Sequence, residues 1–374
     1  MPWKAKTTMS QRQEFVELAL KENANIRALC REFGITPRTG YKWIKRYREE
    51  GANGLYDRSR RPQHSPLKSS SILEEAVLKV RRAHPTWGGR KIQWKLVQDG
   101  IKLPPAASTI TAILSRNEML DCKESIKHSP VQRFEMEYPN QLWQMDFKGH
   151  FEMANGLLCH PLTVIDDHSR FLIGLKACPY QHSRAVREHL KDIFSCYGLP
   201  ERMLMDNGAI WKGFHTKLTS WLVRLGIQVV HGRIHHPQTQ GKDERLHRTL
   251  KNELLIRQPF YDLDDCQYKF DVWRNSYNYE RPHQALDMQP PGSHYQPSSR
   301  TFTGNFPPIE YEANDILRKI DCLGKLQYLG RKFRIGKAFK KTLVALRPTE
   351  MDGVLNVFFF KQRIAQINLL ADNP

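Results

Sequence analysis

Three acidic residues in unrelated local contexts are the strongest chemical feature of this sequence. Asp146 ends the run Leu-Trp-Gln-Met-Asp, Asp206 begins Asp-Asn-Gly, and Glu244 lies in Gly-Lys-Asp-Glu-Arg. Three carboxylates brought from two strands and one helix to one point can hold two Mg²⁺ ions about 3.5–4 Å apart for phosphoryl transfer. The sequence therefore predicts a two-metal site.

Two of these acids fall at predicted β-strands. The alternation that begins at residue 141 predicts a strand with Asp146 in its middle, on the more polar face. Another strand is predicted at 202–205, and Asp206 follows it, where ligands bind in open α/β sheets. Asp166 and Asp167 are rival ligands, although a turn after a strand is an ordinary place for aspartate.

The third acid falls on a predicted helix. Glu244 shares one face of it with Arg248 and Lys251, which come four and seven residues later. This face displays a carboxylate for metal together with cations for phosphate. Asp243 is a rival for the third ligand, but it points about 100° away around the helix.

Composition favours a polyanionic partner. The chain has 374 residues, with 58 Lys and Arg against 39 Asp and Glu, a formal net charge of +19. Its length predicts two to four domains, since a domain has roughly 100–200 residues. No apolar run is as long as the stretch of about 18 residues that spans a bilayer. No secretory signal is evident. The seven scattered cysteines predict free thiols and no structural zinc, so we expect a cytoplasmic, DNA-binding protein without a membrane partner.

Residues 1–56 predict a helix-turn-helix DNA-binding domain. Ser10 has the form of a helix cap, and Thr36 with Pro37 begins the last of three short helices. In this motif the last helix enters the major groove. We expect base contacts and then phosphate contacts from its polar residues, which are Arg38, Thr39, Lys42, Lys45 and Arg46.

The rest of the N-terminal third predicts a second helical domain between two linkers. Residues 57–70 are a basic linker, in which Arg60 and Arg61 are candidates for minor-groove contacts. Residues 71–121 predict a weaker helix-turn-helix-like domain, and 122–138 predict a linker. The alternative is a purely structural helical subdomain.

The remaining chain predicts two further domains. From residue 139 to 300, strands and helices alternate, which indicates an α/β core. From 301 to 374, short strand-like runs punctuated by glycines predict a small β-barrel. Lysines of this last domain are weaker candidates for DNA contacts.

Four motifs in order resemble bacterial insertion-sequence transposases with a retroviral-integrase-type core. They are Trp-Gln-Met-Asp ending at Asp146, Asp-Asn-Gly from Asp206, the run at 237–245, and Tyr-Asn-Tyr-Glu-Arg-Pro-His at 277–283. The resemblance implies a ribonuclease-H-like core and a catalytic, metal-binding triad of Asp146, Asp206 and Glu244. Its Gly-Lys-x-Glu-Arg pattern selects Glu244, and 37 residues separate the second acid from the third, slightly more than is common.

The resemblance also implies a function. Such a transposase binds the ends of a mobile element, cleaves to free 3′-hydroxyls and transfers them to target DNA, with two Mg²⁺ ions for which Mn²⁺ substitutes. Its partners are double-stranded DNA and at least one more copy of itself, in a bacterial cytoplasm or on the nucleoid. Further DNA contacts are expected from the cations near the third acid, which are Lys242, Arg245, Arg248 and Lys251.

Two alternatives remain at this point. A sequence-specific DNA-binding regulator would need the helical domains alone, and the intact acidic triad argues against it. A ribonuclease-H-fold nuclease would cut without joining, and would have less use for two helix-turn-helix domains. The prediction is therefore a multidomain chain with all-α helix-turn-helix units, an α/β ribonuclease-H-like catalytic core and a small β-barrel.

Overall fold

The computed structural model describes residues 7–58, 68–120, 135–206, 216–231 and 241–371. Contacts divide the chain into two compact units, Met1–Lys68 and Ser69–Pro374. The second helical region, the α/β core and the C-terminal strands therefore belong to one unit. Among the described residues, no helix is both long and apolar enough to cross a bilayer.

The first unit is a three-helix domain followed by a short 3₁₀ turn. Its helices are α1 (Thr8–Ala19), α2 (Ile26–Glu32) and α3 (Pro37–Glu50). The predicted start of α3 is confirmed, because the Thr36 side chain accepts from the amide of Thr39. The predicted cap of α1 is wrong: Thr7 fills that role and Ser10 donates its amide. The helices enclose a small core of Phe15, Val16, Cys30, Trp43, Ile44 and Leu55.

The second helical region begins the larger unit. Its helices are α4 (Ser71–Ala83), α5 (Gly89–Gln98) and α6 (Ala107–Arg116). They pack around Trp87, Ile92, Leu96, Ile110 and Ile113, all of which are buried. α5 and α6 approach closely at Gly89, where a Cβ atom would lie 2.3 Å from the carbonyl oxygen of Ala107.

This contact predicts unequal effects for two adjacent glycines. A Cβ on Gly89 would meet backbone, whereas a Cβ on Gly88 would meet nothing within 4 Å. We expect Gly89→Ala to destabilise the protein by about 1–3 kcal/mol, because the two helices must separate. Gly88→Ala is the control and should cost less than about 1 kcal/mol. Urea denaturation of both variants measures the difference, and equal stabilities would contradict the close packing.

The core is a mixed sheet with helices on both sides. Its strands are β1 (Leu142–Phe147), β2 (Phe151–Glu152), β3 (Leu158–Asp166), β4 (Leu172–Cys178), β5 (Arg202–Met205) and β6 (Gln228–His231). The sheet has the order β2-β3-β1-β5-β6, and β4 pairs with β3. β1 runs antiparallel to β3 and parallel to β5, and β5 runs parallel to β6.

Helices cover this sheet because its strands are apolar on both faces. The helices are α7 (Ser183–Tyr197), α8 (Lys217–Arg224), α9 (Gly241–Leu250) and α10 (Leu263–Tyr279), and a π-helical turn, Lys251–Leu255, follows α9. One cluster joins β1 and β5 to α7 and α8 through Trp143, Met145, Met203, Phe194 and Trp221. A second cluster joins β3 and β4 to α9 and α10 through Ile165, Leu172, Leu246, Phe270 and Trp273.

The C-terminal strands form a β-rich region, in which the small β-barrel that the sequence predicted is not confirmed. They are β7 (Ile316–Lys319), β8 (Lys325–Tyr328), β9 (Arg331–Arg334), β10 (Leu343–Pro348), β11 (Val354–Phe359) and β12 (Gln362–Asn368). Four of them form a sheet in the order β12-β11-β10-β7, while β8 and β9 form a separate ribbon. An isolated bridge between Ile320 and Leu326 joins the ribbon to the segment after β7, and among the described strands no ladder closes a barrel.

The C-terminal sheet is fixed to the core by shared apolar and polar contacts. Phe339 and Phe359 belong to the same buried cluster as Trp221 of α8. The amide of Val229, on β6, donates to Oε1 of the buried Gln362 at 3.1 Å. β6 is the last strand in the described sheet order. The Gln362 side chain therefore accepts from a backbone amide at the sheet edge that no neighbouring strand pairs with.

The second helical region is also fixed to the core. Oε1 of Glu253 accepts from the hydroxyl of Thr86 at 3.2 Å and lies 3.9 Å from Nζ of Lys91. Nε of Arg281 donates to the same carboxylate at 3.0 Å. Burial, followed by the nearby Arg281, lowers the pKa of Lys91 to about 7. Glu253 thus joins α5 and its preceding loop to the segment that follows α10.

Candidate active site

The pairing of β1 with β5 brings two of the predicted acids together. Met145 is the register partner of Met205 in this parallel pair. Asp146 follows Met145, and Asp206 follows Met205. Neighbouring strands lie about 4.8 Å apart, so the two acids are side by side. Asp146 is the fifth of the six residues of β1, so it lies near the carboxyl end of the strand rather than in its middle.

The electrostatic environment of Asp146 includes the charge of Asp206. Burial raises the pKa of Asp146 to about 6, and the charge of Asp206 acts in the same direction. The amide of Phe147, which donates to Oδ1 of Asp146 at 2.8 Å, and the charge of Lys148 act in the opposite direction. The site therefore resists the accumulation of negative charge at Asp146.

His247 is a neighbour of Asp146 to which sequence reasoning gave no role. The hydroxyl of Thr163 donates to the carbonyl oxygen of Asp146 at 3.0 Å and lies 2.9 Å from Nε2 of His247. Because the hydroxyl proton is donated to Asp146, the Thr163 oxygen accepts the hydrogen bond from His247. The proton of the neutral imidazole is therefore assigned to Nε2. Nδ1 then presents a lone pair 4.0 Å from Oδ2 of Asp146. Burial lowers the pKa of His247 to about 4, which keeps the ring neutral at pH 7.

The two faces of α9 have different chemistry. Its buried residues include Asp243, Leu246 and Leu250, and His247 lies on the same side, one turn after Asp243. The exposed residues are the predicted third acid and the predicted DNA-contacting cations, namely Glu244, Arg245, Arg248 and the following Lys251. The shared exposure of these four agrees with the face that the sequence predicted. The sequence feature that could have identified His247 is its spacing of four residues from Asp243, which puts both on one side of the helix.

Asp243, the rival of Glu244, is a buried carboxyl group. It is 1% exposed, and neither of its carboxyl oxygens has a hydrogen-bond partner among the described residues. Burial raises its pKa well above the usual value, and the charges of Asp146, Asp167 and Glu244 act in the same direction. Burial therefore favours the protonated form of Asp243 in the metal-free protein.

Asp166 and Asp167 have structural partners. Oδ1 of Asp166 accepts from the amide of Asn140, and Oδ2 accepts from the amide and hydroxyl of Ser169. Asp167 accepts from Gln144, and its Oδ2 lies 2.5 Å from Nζ of Lys242. Both carboxylates are fully buried. Their bonds explain why the turn after β3 contains aspartates.

The predicted triad is only partly assembled. Within the described ranges, no group of three or more His, Cys, Asp or Glu side chains is arranged to hold a metal ion. Asp146 and Asp206 are adjacent in register, whereas Glu244 is exposed on α9, which packs beside β1. The donors are nevertheless all carboxylate oxygens, which suit Mg²⁺. Two carboxylates at adjacent strand ends, with the pKa of Asp146 raised, are also what a site built for cations shows without them.

The pKa of Asp146 predicts how stability depends on pH. Its proton leaves the folded protein at about pH 6 and the unfolded chain near the ordinary value of 3.8. The free energy of unfolding therefore falls as pH rises through this window, by about 2–3 kcal/mol for this group. Asp146→Asn lacks this titration. Urea denaturation in EDTA at pH 4 and pH 7 should show the larger loss in the wild type, and parallel profiles would contradict it.

The predicted contacts of the first unit lie along α3. Arg38, Lys42 and Lys45 are exposed at spacings of four and three residues, which places them on one side of the helix. Arg46 is half-buried, with its guanidinium 5.2 Å from the centre of the Trp43 ring. The hydroxyl of Thr39 bonds to that of Thr36 at 2.9 Å. The predicted contacts Arg60 and Arg61 lie outside the described residues.

Lys242 differs from the other predicted DNA contacts on α9. Its side chain is 16% exposed, and its ammonium is paired with Asp167. Burial, followed by the charge of Arg170, lowers its pKa, while the charge of Asp167 raises it. The ammonium of Lys242 is thus directed into the protein.

Family comparisons cover most of the chain in separate segments. Models described as "Integrase core domain" match residues 137–237 and 225–291. Models described as "Helix-turn-helix domain" and "Homeodomain-like domain" match 11–63 and 39–114. A model described as "IS481 family transposase, C-terminal domain" matches 315–374.

Known proteins with similar sequences include a transposase and retroviral polyproteins. The chain is 23% identical over 317 residues to the transposase for transposon Tn552 of Staphylococcus aureus, covering 75% of this chain and 65% of that protein. It is 34% identical over 117 residues to the Gag-Pro-Pol polyprotein of Simian retrovirus SRV-1, covering 31% of this chain and 6% of the polyprotein. The chain thus spans less than two thirds of the length of either relative.

Solved structures with a similar arrangement include two from retroviral integration. The HTLV-2 integrase catalytic core domain in complex with magnesium has 16% identity and a TM-score of 0.35, covering 43% of this chain and 99% of that chain. The simian T-cell lymphotropic virus intasome has 16% identity and a TM-score of 0.38, covering 77% of this chain and 99% of that chain.

The matched domains define a protein with an integrase-type catalytic core behind helix-turn-helix domains. Through the match to the C-terminal domain of IS481 transposases and the similarity to the Tn552 transposase, the chain is similar to insertion-sequence transposases that have such a core.

Proposed function

We propose that this protein is a DNA transposase that binds the ends of a mobile element, cleaves to free 3′-hydroxyl groups and transfers them to target DNA. The observation that carries the proposal is the register of β1 and β5, which sets Asp146 beside Asp206 within a chain that matches integrase core domains. In the proposed reaction, water and then a 3′-hydroxyl attack the phosphorus directly, without a covalent protein intermediate.

Asp146, Asp206 and Glu244 would hold two Mg²⁺ ions, for which Mn²⁺ would substitute. The ions would supply Lewis-acid activation of the attacking oxygen and stabilisation of the leaving oxygen. Two acids at adjacent strand ends provide fixed ligands on one side. The third is on a helix that packs beside β1, so a movement of the Glu244 side chain would complete the set.

Glu244 rather than Asp243 is the proposed third ligand. Its side chain is exposed, together with Arg248 and Lys251, on the face where a DNA phosphate can approach. Asp243 points into the protein and is almost completely excluded from solvent. A buried protonated Asp243 would support the site by limiting the negative charge beside Asp146.

The remaining charged residues would bind DNA. The row of Arg38, Lys42 and Lys45 on α3 fits the recognition helix of a helix-turn-helix domain, with Thr39 and Arg46 beside it. On α9, exposed Arg245, Arg248 and Lys251 follow Glu244 along the helix and fit phosphate contacts next to the reacting bond. Arg60 and Arg61 would contact the minor groove in the basic segment. Joining two element ends requires at least a dimer, which would act on the bacterial nucleoid.

A strand-transfer assay tests the function. Purified protein, Mg²⁺ and a labelled duplex that carries the terminal inverted repeat flanking the gene should give 3′-end cleavage and covalent joining to a target plasmid. Joining supports the transposase. Cleavage without joining would support a nuclease instead, and binding without cleavage a DNA-binding regulator.

A further inference from the structure

One buried carboxylate connects the elements that carry the proposed ligands. Asp167 is 0% exposed and follows β3 directly. Its Oδ1 accepts from Nε2 of Gln144 at 2.6 Å, and its Oδ2 accepts from the amide of Met136 at 2.9 Å. Nζ of Lys242 lies 2.5 Å from Oδ2 and also donates to the carbonyl oxygen of Asp167 at 3.0 Å.

The positions of these partners relate the contact to the active site. Gln144 is on β1, two residues before Asp146, and Lys242 is on α9, two residues before Glu244. Asp167 therefore ties the strand of the first acid to the helix of the third. A second contact, between His247 of α9 and Thr163 of β3, holds the following turn of the same helix.

The physical properties of the pair suit an anchor better than a DNA contact. A buried ion pair is costly to break, because removing one partner leaves an uncompensated charge in the protein interior. The first turn of an α-helix is also the part whose amides lack intrahelical partners, so it frays unless it is held. A phosphate ligand must in addition reach solvent, and the ammonium of Lys242 already contacts both a carboxylate oxygen and the carbonyl oxygen of a residue that is fully buried.

We propose that Lys242 and Asp167 form an internal strut that fixes the first turn of α9, and thereby the position of Glu244 relative to Asp146. Lys242 is then a positioning residue and not a phosphate ligand. This inference rests on the proposed function for its catalytic consequence, but the strut itself is a property of the free protein.

Two methionine substitutions, one at the start of α9 and one directly after it, separate the two roles of a lysine. Lys242→Met removes the buried ammonium, and Lys251→Met is the matched change on the exposed face. We expect Lys242→Met to raise the Mg²⁺ concentration for half-maximal strand transfer by about 10–100-fold, as loss of a supporting contact does. Lys251→Met should instead lower the slope of log binding constant against log salt by about 1, with the Mg²⁺ requirement unchanged.

Hydrogen exchange provides a readout that does not depend on activity. In metal-free and DNA-free protein, the amides of residues 245–248, which bond to the carbonyl oxygens of the first turn of α9, should exchange faster in Lys242→Met than in the wild type, and at the wild-type rate in Lys251→Met. If Lys242→Met fails to fold, the double variant Lys242→Met with Asp167→Asn removes both charges. It should fold and retain the raised Mg²⁺ requirement and the faster exchange.

Two outcomes would overturn the proposal. A salt slope that falls in Lys242→Met as it does in Lys251→Met, with exchange unchanged, would make Lys242 a phosphate ligand. Wild-type exchange together with a wild-type Mg²⁺ requirement would show that the strut positions nothing. A wild-type protein that joins no DNA would refute the proposed function, while the exchange measurement would still decide on the strut.

Discussion

Asp146→Asn is expected to lower strand transfer by about 10³-fold or more, and Asp206→Asn should do the same. The substitution keeps the size of the side chain but removes a charged ligand from the site. The metal ions held there stabilise the charge that develops in the transition state by several kcal/mol. Each 1.4 kcal/mol of lost stabilisation lowers the rate about tenfold. DNA binding should persist, because the candidate contacts of α3 lie in a separate compact unit. Strand transfer and electrophoretic mobility shift, measured on the same preparations, check both parts.

The sharpest test compares the two adjacent acids of α9. Glu244→Gln should also lose about 10³-fold or more, since it removes the proposed third ligand. Asp243→Asn replaces a buried carboxyl group, whose burial disfavours the charged form, by a neutral group of similar size, so activity should remain within about tenfold of the wild type. The reverse result, with Asp243→Asn inactive and Glu244→Gln active, would transfer the third ligand to Asp243. Catalysis that survives in Asp146→Asn would refute the triad.

Removal of residues 310–374 is expected to unfold or aggregate the catalytic core. Phe339, Phe359 and neighbouring side chains of the C-terminal sheet share one buried cluster with Trp221 of α8. Each large apolar side chain contributes about 1.5–3 kcal/mol when fully buried. The loss of several such contacts is comparable to or larger than the net stability of about 5–15 kcal/mol that is typical of proteins. Solubility and thermal unfolding of the shortened chain measure this effect.

Point variants on β12 test the same interface without a large truncation. Gln362→Ala leaves the buried amide of Val229 without its acceptor, which should cost about 1–3 kcal/mol. Gln366→Ala, on the same strand but at its surface, should change stability by no more than about 0.5 kcal/mol. A shortened chain that unfolds as cooperatively as the wild type, at the same temperature, would show that the two regions are independent.

Local signals were sufficient for several elements. The Thr36 cap and Pro37 located α3, and the predicted bounds of β5, 202–205, agree with the structure. α10 was not predicted, although Cys266, Phe270, Trp273 and Tyr277 follow each other at helical spacing. The closed β-barrel was predicted because glycine-punctuated runs specify short strands, but they do not specify which strands pair.

The sequence by itself determined the kinds of elements and the chemistry available to them: one acid within a strand, one at a strand end, a helix with Glu244 beside cations, and an excess of positive charge. Tertiary structure decided which of those groups face solvent. It buried Asp243, directed Lys242 towards Asp167 and placed His247 against Asp146. The physical reason is that spacing along a helix fixes which residues share a face. Only the packing of that helix on β1 and β3 determines which face is excluded from water and which charges meet there.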